Sequence, residues 1–328
     1  MDKCLDVYKN INIEFIENKL RISPCCIYPA ELADNLDFNN NTLLTEVRRQ
    51  WDNNIVPTGC QSCVDQKEAN QHNRMEDSNK WYAAWDCADT KLELIRMDYH
   101  VGDVCNLACL ICGPRVSSKW KEELNWPIET RKQTVNAEWD KLDLSTIRYI
   151  HFTGGEPLLS KEHILLLEAI PNKSLVEIAY NTNGTILPSL KLLYLWSKFL
   201  KVCIAFSIDD IGERFEYQRY PARWYTVASN IQWFIENCPV NCLFEVNTTV
   251  SILNQFNLDK LDNWLTENFP ANRVTDKTIY RKQPAHGILA IDNTNFNTIV
   301  AYLDKCDLRR GLNWRHTFPE LIDILSPM

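Results

Sequence analysis

Near the start of the chain Ile11, Ile13 and Phe15 alternate with Asn12 and Glu14. Strand side chains point to opposite faces in turn, so this alternation predicts a half-buried strand. Glu17-Asn18-Lys19 is a turn candidate, and Leu20 and Ile22 predict a returning strand that ends at Pro24-Cys25-Cys26. Between Thr42 and Asn53 the apolar spacing lengthens, placing Leu43, Leu44, Val47 and Trp51 on one side of a helix. Pro57-Thr58-Gly59 stops it. From about residue 91 the rhythm becomes strand, loop, helix. The strand candidates are Leu92–Met97, Ile147–Phe152, Leu175–Tyr180, Val202–Ser207, Leu243–Val250 and Thr278–Lys282. That alternation predicts βα units on a parallel sheet, an α/β fold. Six units make an open, partial (β/α)6 barrel, with ligands at the carboxyl ends of the strands. Asn295–Lys305 and Pro319–Leu325 predict helices that close one side. The expected division is a hairpin and helix unit over 1–90, the barrel over 91–290 and a helical tail over 291–328.

Composition narrows the class. No apolar stretch reaches the roughly 20 residues that cross a bilayer. The first 20 residues carry charges throughout, against a secretory signal, so the expected location is cytoplasmic. A net charge of −8 argues against a broad basic surface for nucleic acid. Thirteen cysteines, an odd number, fit metal sites better than a complete disulfide framework. The nine glycines are few, and six of them fall in or beside the motifs below.

Cys105, Cys109 and Cys112 are spaced C-x3-C-x2-C directly after the first predicted barrel strand. Three thiolates on one tight loop bind three irons of a cubane cluster and leave the fourth iron open. An open metal position is where a substrate binds. The competing reading is a zinc ion, with His100 as a candidate fourth ligand.

Thr153-Gly154-Gly155-Glu156-Pro157 follows the second barrel strand. Two glycines let backbone approach a ligand closely, and Glu156 offers an acceptor for a cationic group. Asn181-Thr182-Asn183-Gly184 ends the third strand and Ser207-Ile208-Asp209 the fourth; Arg219 lies further on, and Asn247 sits on the fifth. Each of these is also an ordinary loop or strand residue. Their placement at successive strand ends is what points to one site.

Together, C-x3-C-x2-C, Gly-Gly-Glu-Pro and the strand-end segments resemble the radical S-adenosylmethionine (SAM) superfamily. The stretch from Cys105 through Gly113-Pro114 and Ser117-Ser118-Lys119-Trp120 is similar to members with a twitch or SPASM-like accessory domain. Ile111 stands where many members have an aromatic residue, and no match to the family's sixth-strand glycine motif is evident. The resemblance implies a partial (β/α)6 TIM-like barrel whose three cysteines hold a [4Fe–4S] cluster, with SAM chelating the open iron. It implies that Gly154, Gly155 and Glu156 bind the SAM amino group. Asn181, Asn183, Ser207, Asp209 and Arg219 would then contact its ribose and carboxylate. Asn247 is a weaker polar contact.

Cys4, Cys25, Cys26, Cys60 and Cys63 form a second group. The hairpin can return Cys4 and Cys25 to one place, beside the Cys60–Cys63 C-x2-C pair. Four thiolates fully ligate a cubane cluster, and a structural zinc fits the same set. The resemblance to twitch and SPASM units favours an auxiliary [4Fe–4S] cluster on Cys4, Cys25, Cys60 and Cys63, with Cys25 chosen over Cys26. Cys203 alternates with apolar strand residues and is expected in the core.

The activity implied is reductive cleavage of SAM to a 5′-deoxyadenosyl radical that abstracts hydrogen from a substrate. A peptide or protein side chain is the class the resemblance favours, with oxidation, cross-linking and epimerisation all open. A flavodoxin- or ferredoxin-like electron donor is implied as well. The alternatives are a small-molecule substrate, or a non-catalytic zinc scaffold, which would leave the strand-end motifs unexplained.

Overall fold

The computed structural model describes residues 2–16, 19–33, 36–126, 139–274 and 280–325. Nine strands join in one sheet among them. These are β1 (Asn10–Ile16), β2 (Lys19–Ser23), β3 (Glu31–Leu32), β4 (Arg96–His100), β5 (Tyr149–Thr153), β6 (Glu177–Thr182), β7 (Lys201–Ser207), β8 (Cys242–Val250) and β9 (Tyr280–Pro284). Their order is β3-β2-β1-β4-β5-β6-β7-β8-β9. From β4 to β9 each strand runs parallel to the next. The sheet is α/β in type and not closed, a partial barrel.

The N-terminal hairpin is part of this sheet. β1 pairs antiparallel with β2 and parallel with β4, setting Asn10 beside Arg96 and Glu14 beside His100. β1 therefore covers the edge that β4 would otherwise present, which an open barrel must protect.

Side-chain alternation decides what each face does. Ile11, Ile13, Met97, Tyr99, Ile150, Phe152, Ile178, Tyr180, Val202, Ile204, Phe206, Phe244 and Val246 point one way, and all are buried in a single apolar core. Helices such as Glu162–Ala169 and Trp224–Asn237 cover that face. The alternate residues form the inner face, which is largely polar, with Asn10, Asn12, Arg96, Asp98, His151, Asn181, Ser207, Glu245 and Asn247 beside Ala179, Ala205 and Leu243. Cys203 belongs to this inner face and is half-buried, so it is not a member of the apolar core. Its neighbours Val202 and Ile204 take that role.

Several element boundaries differ from the sequence reading, three of them for reasons visible in the chain. The first barrel strand starts at Arg96 rather than Leu92, because the Glu93 and Ile95 N–H groups donate to the Tyr8 and Lys9 carbonyls ahead of the ladder. The third starts at Glu177, since Lys173–Leu175 is a 3-10 turn. The sixth spans Tyr280–Pro284, and Thr278 lies outside the described residues, as do Glu17 and Asn18 of the predicted turn.

The C-terminal helices Phe296–Arg310 and Leu321–Leu325 pack against the triad loop. Ile299, Leu303, Trp314, Phe318 and Leu321 bury against Ala108, Leu110 and Trp120, in and beside the triad loop. Among the described residues no helix is long and apolar enough to cross a membrane.

Candidate active site

The segment Cys105–Cys112 follows β4, and side chains around it hydrogen-bond five of its eight carbonyls. Ser118 Oγ donates to Cys105 O (3.0 Å) and Ser117 Oγ to Leu107 O (2.6 Å). Arg310 Nη2 donates to Ala108 O (2.8 Å), Trp120 Nε1 to Cys109 O (2.8 Å) and Tyr302 OH to Leu110 O (2.9 Å). The Ala108 and Leu110 N–H groups donate to Tyr220 and Gln218 carbonyls. A loop with so few free backbone groups has little conformational choice left.

The three thiols differ in exposure: Cys105 is half-buried, Cys109 buried and Cys112 exposed. Donors are aimed at the sulfurs. Leu107 N–H lies 3.5 Å from Cys105 Sγ, Asn183 Nδ2 lies 3.9 Å from it, and Arg219 Nη1 lies 3.8 Å from Cys109 Sγ. Burial pushes Cys105 up to about 11. A hydrogen bond between Cys112 and Cys109 lowers the Cys109 thiol and raises the Cys112 thiol. N–H groups directed at sulfur, with a guanidinium behind them, favour the thiolate forms that iron requires.

Gly154 and Gly155 make their close approach to this loop. The Gly155 N–H donates to Gly102 O (2.7 Å) and the Glu156 N–H to Val104 O (2.8 Å). A Cβ on Gly155 would sit 2.3 Å from Val104 O, and Gly154 has φ +130° with Gly102 O 2.8 Å from its would-be Cβ. Both positions need glycine for contact with their own chain, where the sequence suggested contact with a ligand. Glu156 is buried. Its Oε1 accepts from Thr182 Oγ1 (2.8 Å) and Leu158 N–H (3.1 Å), and its Oε2 from Asn183 N–H (2.7 Å). Burial outweighs these bonds and raises its carboxyl to about 7. The side chain is thus a brace joining Gly-Gly-Glu-Pro to Asn181–Gly184.

The other strand-end residues converge in two sets. Asn183 Nδ2 donates to Asn106 Oδ1 (3.0 Å) besides facing Cys105. Asp209 Oδ2 pairs with Arg219 Nη2 (2.9 Å), and Asp209 Oδ1 accepts from Thr249 N–H (2.9 Å). Arg219 therefore spans Asp209 and Cys109. Asn181 Oδ1 contacts His151 Nε2 (3.3 Å) and accepts from Asn247 Nδ2 (3.3 Å). Ser207 lies beside Asn247 in the ladder. Arg219 Nε and Asn247 Oδ1 are buried without a hydrogen-bond partner. Buried polar atoms left unpaired beside a cysteine loop fit a polar ligand at that place.

Sequence reading passed over the floor of this inner face. Asp98 accepts from Arg96 Nη2 (3.0 Å) and Arg74 Nη2 (3.1 Å), and its Oδ1 lies 3.7 Å from His151 Nδ1. Arg96 stacks between Trp81 and Tyr149, with ring centroids 4.2 and 4.8 Å from its Cζ. Arg96 and Asp98 alternate with Met97 and Tyr99, so the polar half of the strand's pattern is the signal that marks this floor.

The second cysteine group also comes together. Cys4, Cys25, Cys60 and Cys63 line one recess with Trp51, Gly59, Arg74 and Met75. Cys25 is buried, whereas Cys26 is exposed and its Sγ accepts from Arg74 Nη1 (3.5 Å). Burial raises the Cys4 and Cys25 thiols, and Cys60 to about 11. A recess of four thiols suits a group that supplies positive charge. Among the described residues, no three His, Cys, Asp or Glu side chains are grouped so as to hold a single metal ion.

Residues 99–258 match the family model described as Radical SAM superfamily. No curated protein matches the sequence. Among solved structures, "Native anSMEcpe with bound AdoMet" is similar at 16% identity and TM-score 0.42, over 66% of this chain and 61% of that one. Streptococcus suis SuiB bound to precursor peptide SuiA is similar at 12% identity and TM-score 0.45, over 95% of this chain and 74% of that one. TYW1 with a lysine-pyruvate adduct bound is similar at 13% identity and TM-score 0.36, over 66% and 71%. The chain thus spans about three-fifths of the length of the anSMEcpe structure.

Proposed function

We propose, from the match of residues 99–258 to the radical SAM superfamily model, that the chain is a radical SAM enzyme, and we assign the residues that carry the activity and the substrate class. Cys105, Cys109 and Cys112 hold the [4Fe–4S] cluster and leave one iron for SAM. When bound, the cluster supplies the electron that cleaves the SAM sulfonium to methionine and a 5′-deoxyadenosyl radical, which abstracts hydrogen from the substrate.

The chain's own residues bind and orient. The backbone at Gly154–Glu156 faces the SAM amino group, while the Glu156 carboxylate keeps Asn183 in place beside Cys105. Asn181, Ser207 and Asn247 offer hydrogen bonds to the ribose. Arg219, fixed by Asp209, directs positive charge at Cys109 and at the SAM carboxylate. The carrying observation is the pinned cysteine loop: five of its carbonyls are hydrogen-bonded from outside it, which is the preorganisation a site for reactive intermediates requires.

Residues 1–90 act as the auxiliary unit, with a second [4Fe–4S] cluster on Cys4, Cys25, Cys60 and Cys63. Residues 291–328 are the C-terminal unit, whose helices Phe296–Arg310 and Leu321–Leu325 hold the triad loop. The substrate is a peptide or protein side chain. The polar inner face supports a hydrogen-bonding group there rather than an apolar one. The electron comes from a flavodoxin- or ferredoxin-like donor.

Anaerobic reconstitution with iron and sulfide tests this reading. Reduced protein given SAM should release 5′-deoxyadenosine, and replacing Cys105, Cys109 and Cys112 with Ala should abolish release. Iron-loaded protein that leaves SAM intact under a strong reductant would sink it. Exposure to synthetic peptides should change the rate of deoxyadenosine release if the substrate is of that class.

A further inference from the structure

Among the described residues, Arg74 is the one charged residue that lines the N-terminal recess. It opens the helix Arg74–Ala84 and is largely buried. Its guanidinium is fixed from both sides. Nε donates to Asp6 Oδ2 (3.0 Å) and Ser78 Oγ (2.9 Å), and Nη2 donates to Asp98 Oδ2 (3.1 Å). Asp6 is fully buried, and Ser78 and Tyr82 hydroxyls also donate to it (2.8 Å each).

Asp98 faces the other way, into the barrel. It receives Arg96 Nη2 and Asn10 Nδ2 (3.2 Å), and lies beside His151, which reaches Asn181. Burial alone would push its carboxyl up. The Arg96 guanidinium, His151 and Arg74 reverse that and hold it well below the usual carboxylate range. A continuous buried ionic chain therefore runs from the four cysteines, through Arg74 and Asp98, to the inner face of the barrel.

We infer that Arg74 is a positioning residue that sets the reduction potential of the auxiliary cluster, and that Asp98 links that potential to charge in the barrel interior. This rests on the reading that Cys4, Cys25, Cys60 and Cys63 hold a redox-active cluster. Taking up one electron adds a negative charge to a group already ringed by thiolates. A fixed cation in a low-dielectric surround stabilises the added charge, and so favours the reduced form. Asp6 and Asp98 each offset part of that cation, and Asp98 is the one that faces the barrel. A charged substrate group that engages Asp98 or His151 would alter the offset, so occupancy of the barrel would be felt at the recess with no movement of backbone.

The two signs give the test. Full-length protein is reconstituted anaerobically, iron is counted, and both clusters are titrated with dithionite under paramagnetic resonance. In Arg74→Gln the reduced-to-oxidised ratio of the auxiliary cluster at fixed ambient potential should fall about tenfold, a midpoint about 59 mV lower for a one-electron couple. In Asp98→Asn the midpoint should rise, and in Arg74→Lys, which keeps the charge, it should stay close to that of the unaltered protein. The signal of the SAM-binding cluster should not move in any of them. If Arg74→Gln does not fold, Asp98→Asn decides alone. Variants that bind about eight irons per chain with an unchanged auxiliary midpoint overturn the inference and leave the second cluster standing. About four irons in the unaltered protein would instead overturn the reading of the recess.

Discussion

Gly155 is where a single atom decides most. Its hydrogen stands where a Cβ would meet the Val104 carbonyl at 2.3 Å, and both partners are backbone. Gly155→Ala must push the approach to Cys105 aside, so the purified variant should reconstitute with less iron at the triad than the unaltered protein, measured by iron analysis, and should release little 5′-deoxyadenosine. His163 gives a pH signature of its own. It is buried among Phe152 and Tyr180, and burial lowers its imidazole to about 4. The unfolded chain titrates near 6.5, so below that pH the unfolded state takes a proton that the folded state refuses. His163 therefore costs nothing above about pH 6.5 and removes stability as pH falls toward 4, by up to about 1.4 kcal/mol per unit. Denaturant unfolding at pH 7 and pH 5 should show the loss, and His163→Phe should flatten it. At this scale the bracing role of Glu156 was the least legible feature. Its motif was plain, but three hydrogen bonds internal to the protein are a matter of tertiary position and leave no trace in spacing.

Among elements, the C-terminal helices matter beyond their packing. Arg310 ties the Ala108 carbonyl to Glu123, to which its Nε donates at 3.1 and 3.0 Å, and stacks on Trp120 and Tyr220. Arg310→Met removes one partner of a buried ion pair, which costs about 3 kcal/mol. The expected result is a lower denaturation midpoint, with faster loss of iron from the triad to a chelator at temperatures where the fold persists. Element types were legible from periodicity, including most strands and the helix Thr42–Asp52. The tail's position was not, because Ile299, Leu303 and Phe318 announce an apolar surface without naming what it covers.

For the whole molecule, the nine-stranded sheet divides labour between its faces. Phe152 stands in the middle of the apolar one, stacked on Tyr180 with centroids 4.7 Å apart and edge-on to Tyr99. Phe152→Ala should cost about 3–5 kcal/mol, read as a lower unfolding midpoint in urea, although the residue touches no candidate ligand. The parallel order from β4 to β9 was foreseeable, since βα alternation leaves few other arrangements. The entry of β1 beside β4 was not, because no local pattern reports a neighbour that far along the chain.

That pairing bears on how the protein matures. Asn10 cannot meet Arg96 until the intervening chain has been made, and parallel pairs of such separation form late. Cys4 and Cys25 flank the hairpin that waits for this partner, so the N-terminal recess is not finished ahead of the barrel. A chain released before β4 should then remain open to protease through its N-terminal hairpin. Protection of that segment in such a truncated chain would show that the hairpin closes unaided.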